Sequence, residues 1–382
     1  MILRLLYFNK NLDRMLVEKK AERHRHSIDT PHFAPQYRYG DHISYSPLNL
    51  ILEKGYIKVN PLAVEFWSEP DRDYAPPGYF VDVEIERLGQ PHSFTKEIQS
   101  EETVVEALSA AMTEDMQLAE KTFPEHTNVV MCGGKDSLNL LLLPWTNPVL
   151  VVSADPNYPL VREFLKENGL SFDIIKLEDE RNVNLEKEIL INCCRNNLSH
   201  CKWGGHLKEI STDYNKKVIF WKGQVGAALL NYSSWRVYKY TSPQAGVSLF
   251  SHLSLQPDGW IEFLQRVRNK FLDPQQVLFE AHWKRGAHWQ GAHMGFLHEL
   301  TGAPVLSGYH GPNVTEIIKR IDHVNAVTKD IRPLIGDNLF GGKVAYPETN
   351  PGPKTSSIRE GVSDVSTFLK TLKKHHAIEI IQ

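Results

Sequence analysis

The sequence has no long apolar run, few cysteines and no large excess of charge of either sign, and each absence excludes a class of protein. No stretch of its 382 residues reaches the roughly 18 apolar residues that a transmembrane helix requires. Four cysteines are too few for a disulfide framework in a chain of this length, which favours a reducing compartment. A net charge of −3 argues against the basic field that nucleic-acid binding normally needs.

The remaining composition is typical of a globular, water-soluble protein. Hydrophobic residues make up 41% of the chain and charged residues 23%, so a real core can form. The opening residues, MILRLLYF, hold too short an apolar run for a secretory signal. The sequence therefore predicts a cytoplasmic protein with one large or two ordinary domains.

The pattern changes near residue 100, which predicts two domains. Residues 1–100 alternate short apolar pieces, such as 43–52, with turns. A proline–glycine turn at 76–78 precedes a stretch at 80–89 in which apolar residues alternate as in a strand. This part is predicted to be a small β-rich N-terminal domain, and residues 101–382 are predicted to form the second domain.

The second part of the chain alternates strands and helices. Amphipathic patterns predict a helix over 101–122 and another over 160–168, the latter ended by Gly169 as its C′ residue. Strands joined by helices through short loops predict an α/β fold, a parallel sheet of βαβ units with helices on both faces. Ligands of such sheets lie beyond the carboxyl ends of the strands. The predicted strands are 129–131, 148–153, 172–177 and 217–221.

The first of these strands runs into a glycine turn with the sequence CGGKDS, residues 132–137. The turn directs backbone N–H groups and the start of a helix at one spot, where two glycines let a ligand approach closely, and such a spot suits phosphate. Asp136 is predicted to cap this helix, which runs to Leu143. The turn is not a Walker A loop, because Val129 stands where that motif has its first glycine.

The turn is similar to the SGGxDS loop of the PP-loop ATP pyrophosphatases, with Cys132 in the usual serine position. The order of elements after residue 75 resembles the synthetase domain of the asparagine synthetase B family, without that family's glutaminase domain. Residues 76–78 are similar to its LPPG segment, 155–158 to its second strand–helix unit, and 327–332 to its TKYLLRE segment.

The resemblance implies an ATP-dependent ligase that forms an acyl-adenylate and then an amide, releasing AMP and pyrophosphate. The implied cofactors are ATP and Mg²⁺. The implied partners are a small-molecule or peptide carboxylate and an amine, without DNA or membrane, and a homo-oligomer or a partner subunit also fits.

The same resemblance assigns roles to individual residues. ATP and pyrophosphate would be bound by Cys132, Gly133, Gly134, Asp136, Ser137, Ser153, Asp155, Gly223 and Gln224. Mg²⁺ would be held by Asp136, and developing charge would be stabilised by Lys135, Lys329 and Lys343.

Two departures from the family bear on activity. The family's glutaminase uses a cysteine exposed as the first residue, whereas Ile2 stands at that position here, so no glutamine hydrolysis is expected. The SGDGGDE carboxylates of the family, which help to place Mg²⁺ and pyrophosphate, are replaced by Gln224, Ala227 and Ala228. An amide supplies no carboxylate to a hard cation. Either Asp136 with ATP's own oxygens or another acid holds the magnesium, or activity is weakened or lost.

Two other functions remain open. One is a PP-loop enzyme that modifies a nucleobase, either similar to a deazaguanine nitrile synthase or acting on tRNA. The former would carry a zinc-type cysteine set and the latter a basic face, and the sequence shows neither. The other is a nucleotide-binding pseudo-synthetase that serves as a partner subunit, which the lost carboxylates favour and the complete turn disfavours.

Two local features allow two interpretations each. Cys132 is either reactive, because it precedes a helix, or a small packing residue, and packing is favoured. The loop at 341–354, rich in proline and glycine, is either disordered or a lid.

Overall fold

The structure is a computed structural model that carries side chains. It describes residues 36–44, 47–60, 82–88, 95–177, 190, 203–223, 294, 297–298, 300–327, 329–347 and 365–381.

The N-terminal part combines a small antiparallel sheet with a helix. Its elements are β1 (Gln36–Tyr39), β2 (His42–Ser44), α1 (Pro47–Lys54), β3 (Tyr56–Lys58) and β4 (Glu86–Leu88). The sheet has the order β2-β1-β4. The β-leaning prediction for 43–52 is wrong in part, because most of that piece is helix α1.

The strand predicted over 80–89 is shorter than its alternation suggests. Only β4 is regular strand, and 83–84 form a turn. The carboxylate of Asp82 causes this, since it accepts the backbone N–H of Glu84 at 2.9 Å, a turn that competes with the strand ladder. The same carboxylate receives the buried ammonium of Lys54 at 2.8 and 3.0 Å, which holds the turn against α1.

Helix α2 (Glu101–Thr122) has the bounds that the amphipathic pattern predicts. Ser100 caps it by accepting the N–H of Thr103 at 3.1 Å, and two glutamates in its first turn complement the helix dipole.

The central sheet has five parallel strands in the order β7-β6-β5-β8-β9, which confirms the predicted α/β fold. Its strands and the segments between them are β5 (Thr127–Met131), α3 (Lys135–Leu138), a 3-10 turn (Asn139–Leu142), β6 (Val149–Ala154), α4 (Tyr158–Glu167), β7 (Asp173–Leu177), α5 (Gly204–Asp213), β8 (Val218–Lys222) and β9 (Val305–Ser307). Gly169 has φ +64° beyond the end of α4, as a C′ residue should.

Residues alternate between two cores along each strand. In β5, Val130 belongs to one apolar cluster, whereas Val129 and Met131 belong to the other. Helix α2 contributes to the first cluster and α5 to the second, so both faces of the sheet are covered, as the sequence predicts.

Four further helices with described bounds follow β9. They are α6 (Pro312–Arg320), α7 (His323–Ala326), α8 (Arg332–Phe340) and α9 (Val365–His375), and a final strand, β10 (Glu379–Ile381), pairs in parallel with β3. The end of the chain is therefore hydrogen-bonded to its N-terminal part. The domain boundary at residue 100 stays a prediction. None of the helices described is both long and apolar enough to cross a membrane.

Candidate functional site

The strand order places the glycine turn at the switch point of the sheet. From β5 the chain moves outward through β6 and β7, and it returns to the other side of β5 with β8. Connections leave the sheet in opposite directions at that point, which opens a crevice at the carboxyl ends of β5 and β8. The turn at 132–137 follows β5 directly, so it lies at this crevice.

Ser137 organises the backbone of the turn. Its Oγ accepts the N–H groups of Gly133 at 3.1 Å and Gly134 at 3.3 Å, and it donates to the carbonyl of Gly134 at 2.7 Å. The two amides therefore converge on one oxygen, as an anion cradle requires. A phosphate oxygen bound by these amides would displace the Ser137 hydroxyl from them and leave it able to donate to the phosphate.

The prediction that Asp136 caps the helix is wrong. The helix begins at Lys135 with Gly134 in the N-cap position, so Asp136 is the second helical residue. The regular helix is also shorter than predicted, because 3-10 geometry takes over at Asn139 and ends before Pro144. With only one short turn of helix, the backbone amides contribute more to an anion site than the dipole does.

Gly223, which follows β8, lies against the turn. A Cβ at this position would be 2.3 Å from the backbone nitrogen of Ser137 and 2.6 Å from the carbonyl carbon of Asp136. Backbone atoms cannot yield to such a contact, so only glycine fits here. The two strands that flank the switch point thus meet at this residue. Gln224, Ala227 and Ala228 lie outside the described residues.

Arg332 joins the turn to the chain after α7. Its Nη1 donates to Asp136 Oδ1 at 2.5 Å, and its Nε and Nη2 donate to the two oxygens of Asp330 at 2.7 and 2.6 Å. Its side chain is 12% exposed. Burial opposes the charged guanidinium, but the hydrogen bonds and charges of Asp330 and Asp136 outweigh it and raise the pKa of Arg332.

The loop after β6 supports the turn from the other side. The buried hydroxyl of Ser153 donates to the carbonyl of Cys132 at 2.7 Å. This bond satisfies the first carbonyl after the end of β5. Asn157 donates its amide to the carbonyl of Gly133 at 2.8 Å. Asp155 lies at the surface and pairs with Lys176 at 2.7 Å.

Two side chains beside Gly133 each have a buried polar atom that lacks a hydrogen-bond partner within the part of the chain that the structure describes. The two atoms are the Oδ1 of Asn157 and the Nε1 of Trp203, whose ring would lie 3.8 Å from a Cβ placed on Gly133. Buried polar atoms are normally paired, so this acceptor and this donor are available to a ligand or to water.

Cys132 is a packing residue, as the favoured interpretation states. Its side chain is completely buried, and burial raises the pKa of its thiol to about 12. A reactive cysteine needs the opposite, an exposed thiol with a lowered pKa.

The three lysines predicted to stabilise charge lie in different surroundings. Lys135 begins α3 beside the turn, and its side chain lies outside the described part of the structure. Lys329 pairs with Glu101 at 2.9 Å, and Lys343 pairs with Asp337 at 2.7 Å. Both are mainly exposed, so the structure does not bring them onto the turn.

The first half of the loop at 341–354 is ordered and packs against its neighbours. The hydroxyl of Tyr346 donates to Asn139 Oδ1 at 2.5 Å, next to the turn, and the backbone of Ala345 exchanges two hydrogen bonds with the side chain of Asn168. Residues 348–354 lie outside the described residues.

The acidic side chain at the turn fits a metal that arrives with its ligand. Among the residues described, no group of three His, Cys, Asp or Glu side chains is arranged to hold a metal ion. Mg²⁺ commonly binds one or two carboxylates together with substrate phosphates. Asp136 would supply one such carboxylate.

Sequence reasoning missed Arg332 and Asn157 as site residues. Both lie in segments that carry the family resemblance, 327–332 and 155–158, but neither was singled out there. The available signal for Arg332 was Asp330 two positions earlier, close enough for a local ion pair.

Comparisons with known proteins leave the function open. No family model matches the chain, and no curated protein matches its sequence. Among solved structures, the U34-tRNA thiolase NcsA from Methanococcus maripaludis, solved with its 4Fe–4S cluster, matches over 76% of this chain and 81% of that chain, at 15% identity and a TM-score of 0.30. A match with that TM-score does not indicate a function. The function is therefore inferred from the geometry of this chain.

Proposed function

We propose that the chain binds ATP at the glycine turn, activates a substrate carboxylate as an acyl-adenylate and joins it to an amine, releasing AMP and pyrophosphate. The observation that carries the proposal is the position of the turn at the switch point, with two converging amides and with Gly223 packed against it. The resemblance of 132–137 and its flanking segments to the synthetase domain supports the choice of reaction.

The reaction has two steps. A carboxylate oxygen of the substrate attacks the α-phosphorus of ATP, so that a new O–P bond forms and the bond to pyrophosphate breaks. The amine then attacks the acyl carbon, loses a proton to solvent or a base, and expels AMP. Attack at phosphorus depends chiefly on positioning and on stabilising negative charge.

Residues at the turn and beside it would meet these needs as follows. The amides of Gly133 and Gly134, with the hydroxyl of Ser137, hold the departing pyrophosphate. Asp136 helps to hold Mg²⁺, which when bound neutralises phosphate charge. Lys135 and Arg332 are the cations proposed at the turn.

Pyrophosphate release from ATP tests the proposal. The full chain is incubated with Mg²⁺, ATP and a panel of carboxylic acids, with and without amines, beside the variants Asp136→Asn and Glu125→Gln. The control removes an exposed ion pair to Lys217, and Glu125 precedes the start of β5, whereas the turn follows the other end of that strand. We expect release that requires one acid, survives in the control and falls at least about tenfold in Asp136→Asn, the size of a lost charge-assisted contact.

Other outcomes select the alternatives. Release that depends on added RNA or a free nucleobase would overturn amide formation in favour of nucleobase modification. ATP binding with no release under any condition would favour a nucleotide-binding subunit without catalysis. That second candidate is favoured by one observation, the pairing of Asp136 with Arg332 where a metal would otherwise bind.

A further inference from the structure

Arg332 is held in two different ways by its two carboxylate partners. Asp330 engages Nε and Nη2, one edge of the guanidinium, with both of its oxygens. Asp136 meets Nη1 alone. The paired contact is geometrically matched and fixes the plane of the guanidinium, whereas the single contact is the one that can be exchanged.

The backbone of Arg332 is fixed to the 3-10 turn that follows α3. Arg332 begins α8, and its carbonyl accepts the side-chain amide of Asn139 at 2.8 Å. Asn139 in turn accepts the hydroxyl of Tyr346. A change of partner at Nη1 therefore needs only a small side-chain movement, because neither α8 nor the 3-10 turn has to shift.

A metal ion and Arg332 compete for Asp136. The guanidinium cannot lose its proton, so it is a permanent cation at 2.5 Å from Asp136 Oδ1. A divalent cation on the same carboxylate would meet a like charge within a few ångströms, where the repulsion is strong because the arginine is largely buried. Metal binding therefore favours release of Nη1, and the nearest new anion would be the polyphosphate that arrives with the metal.

We propose that Arg332 exchanges Asp136 for the polyphosphate of the incoming nucleotide, while Asp330 keeps its guanidinium in place. Arg332 thus neutralises Asp136 before the nucleotide binds and contacts its phosphate afterwards. The proposal rests on the proposed ATP site and adds the residue that couples metal binding to phosphate binding.

The exchange predicts effects of opposite sign on two simple ligands. Mn²⁺ alone, followed by electron paramagnetic resonance, reports the metal site, and inorganic pyrophosphate alone, followed by calorimetry, reports the anion site. In Arg332→Gln we expect Mn²⁺ to bind about tenfold more tightly, because a cation that repels the metal is removed. We expect pyrophosphate to bind at least about tenfold more weakly, because the same cation would contact the phosphate. A merely structural arginine would weaken both or neither.

Matched variants make the result decisive. Arg320→Gln removes an exposed arginine that pairs with Glu97, and it should change neither affinity. Arg332→Lys keeps the charge without the fork, so it should weaken pyrophosphate binding without strengthening Mn²⁺ binding, and it serves as the test if the glutamine variant does not fold. Thermal melting of each variant establishes which are folded.

The failure of the exchange and the failure of the ATP site are distinguishable. If wild type binds ATP and pyrophosphate but Arg332→Gln leaves both affinities unchanged, or moves them in the same direction, the exchange is wrong and the ATP site stands. If wild type binds neither ATP nor pyrophosphate, both proposals are overturned.

Discussion

Cys132 shows how burial decides the chemistry of a single residue. Because its thiol has a pKa of about 12 and is shielded from solvent, we expect it to resist alkylation by iodoacetamide at pH 8 in the native protein and to react in urea. Peptide mapping by mass spectrometry separates it from the other cysteines. Native labelling at the rate of a free thiol would contradict the packing role.

Asp115 is a second residue whose surroundings set its titration. It lies on α2, and its oxygens accept the N–H groups of Asn313 and Val314 at 3.0 Å each, at the start of α6. Burial raises its pKa to about 6, against which these two hydrogen bonds act only partly. Asp115 therefore caps α6, but its burial lowers the free energy of unfolding when the carboxyl group becomes charged.

Asp115→Asn should reveal this cost as a pH dependence. A carboxyl whose folded-state pKa is raised adds stability below its unfolded pKa and loses it as pH rises through the folded value. Relative to the variant, wild type should gain roughly 1 kcal/mol of unfolding free energy between pH 7 and pH 5. Urea titrations at both pH values measure it, with exposed Asp213→Asn as the control. A constant difference would contradict the raised pKa.

What could be predicted at the residue scale depended on whether the signal was local. The turn at 132–137 is legible in the sequence because glycines, a serine and its strand are contiguous. Arg332 lies 195 residues after Ser137 and Asn157 lies 20 residues after it (332 − 137 and 157 − 137). No local sequence pattern links either residue to the turn. The predicted N-cap at Asp136 was two positions too late, because Gly134 takes that position and the helix begins at Lys135.

At the scale of elements, the end of α2 is fastened to the central sheet by one buried carboxylate. Glu120 accepts the side-chain amide of Asn128 at 2.8 Å, the backbone N–H of Asn147 at 2.9 Å, and both the N–H and the hydroxyl of Thr146. The side-chain oxygen Oδ1 of Asn128 accepts the indole N–H of Trp221 on β8 at 2.9 Å. One network therefore ties α2, β5, the loop before β6, and β8 together.

Glu120→Gln should destabilise the protein markedly. An amide nitrogen would replace one acceptor oxygen and face hydrogens that it cannot bond, and a buried group left unpaired costs about 1–3 kcal/mol. We expect the midpoint of urea unfolding to fall by an amount that corresponds to about 2 kcal/mol or more. Glu114→Gln, exposed on the same helix, should change it little. Equal effects of the two substitutions would show that the network does not hold α2.

Elements were predictable where one periodicity ran long enough. Helix α2 kept its predicted bounds over six turns, and the buried strands of the sheet stand out as short apolar runs. Helix α1 was not predictable in the same way, because its few apolar residues suit a strand or a helix equally. Its identity is set by tertiary contacts, among them the ion pair between Lys54 and Asp82.

At the scale of the whole molecule, the fold brings distant parts of the chain to one crevice. The turn comes from the end of β5, Gly223 from the end of β8, and Arg332 from the start of α8. The parallel sheet could be predicted from its strands, but its order could not, since local patterns do not say which strands pair. That order is what creates the switch point and so the candidate site.

Equilibrium binding of Mg²⁺–ATP tests the central claim most directly. Calorimetry on the full chain would compare wild type with Gly223→Ala, whose new Cβ must displace the turn, and with Gly205→Ala, whose Cβ meets open space. We predict that wild type and Gly205→Ala bind ATP alike and that Gly223→Ala, shown by melting to be folded, binds at least about tenfold more weakly. A wild-type chain that binds no ATP, or a folded Gly223→Ala chain that binds as wild type does, would contradict a nucleotide site at this turn.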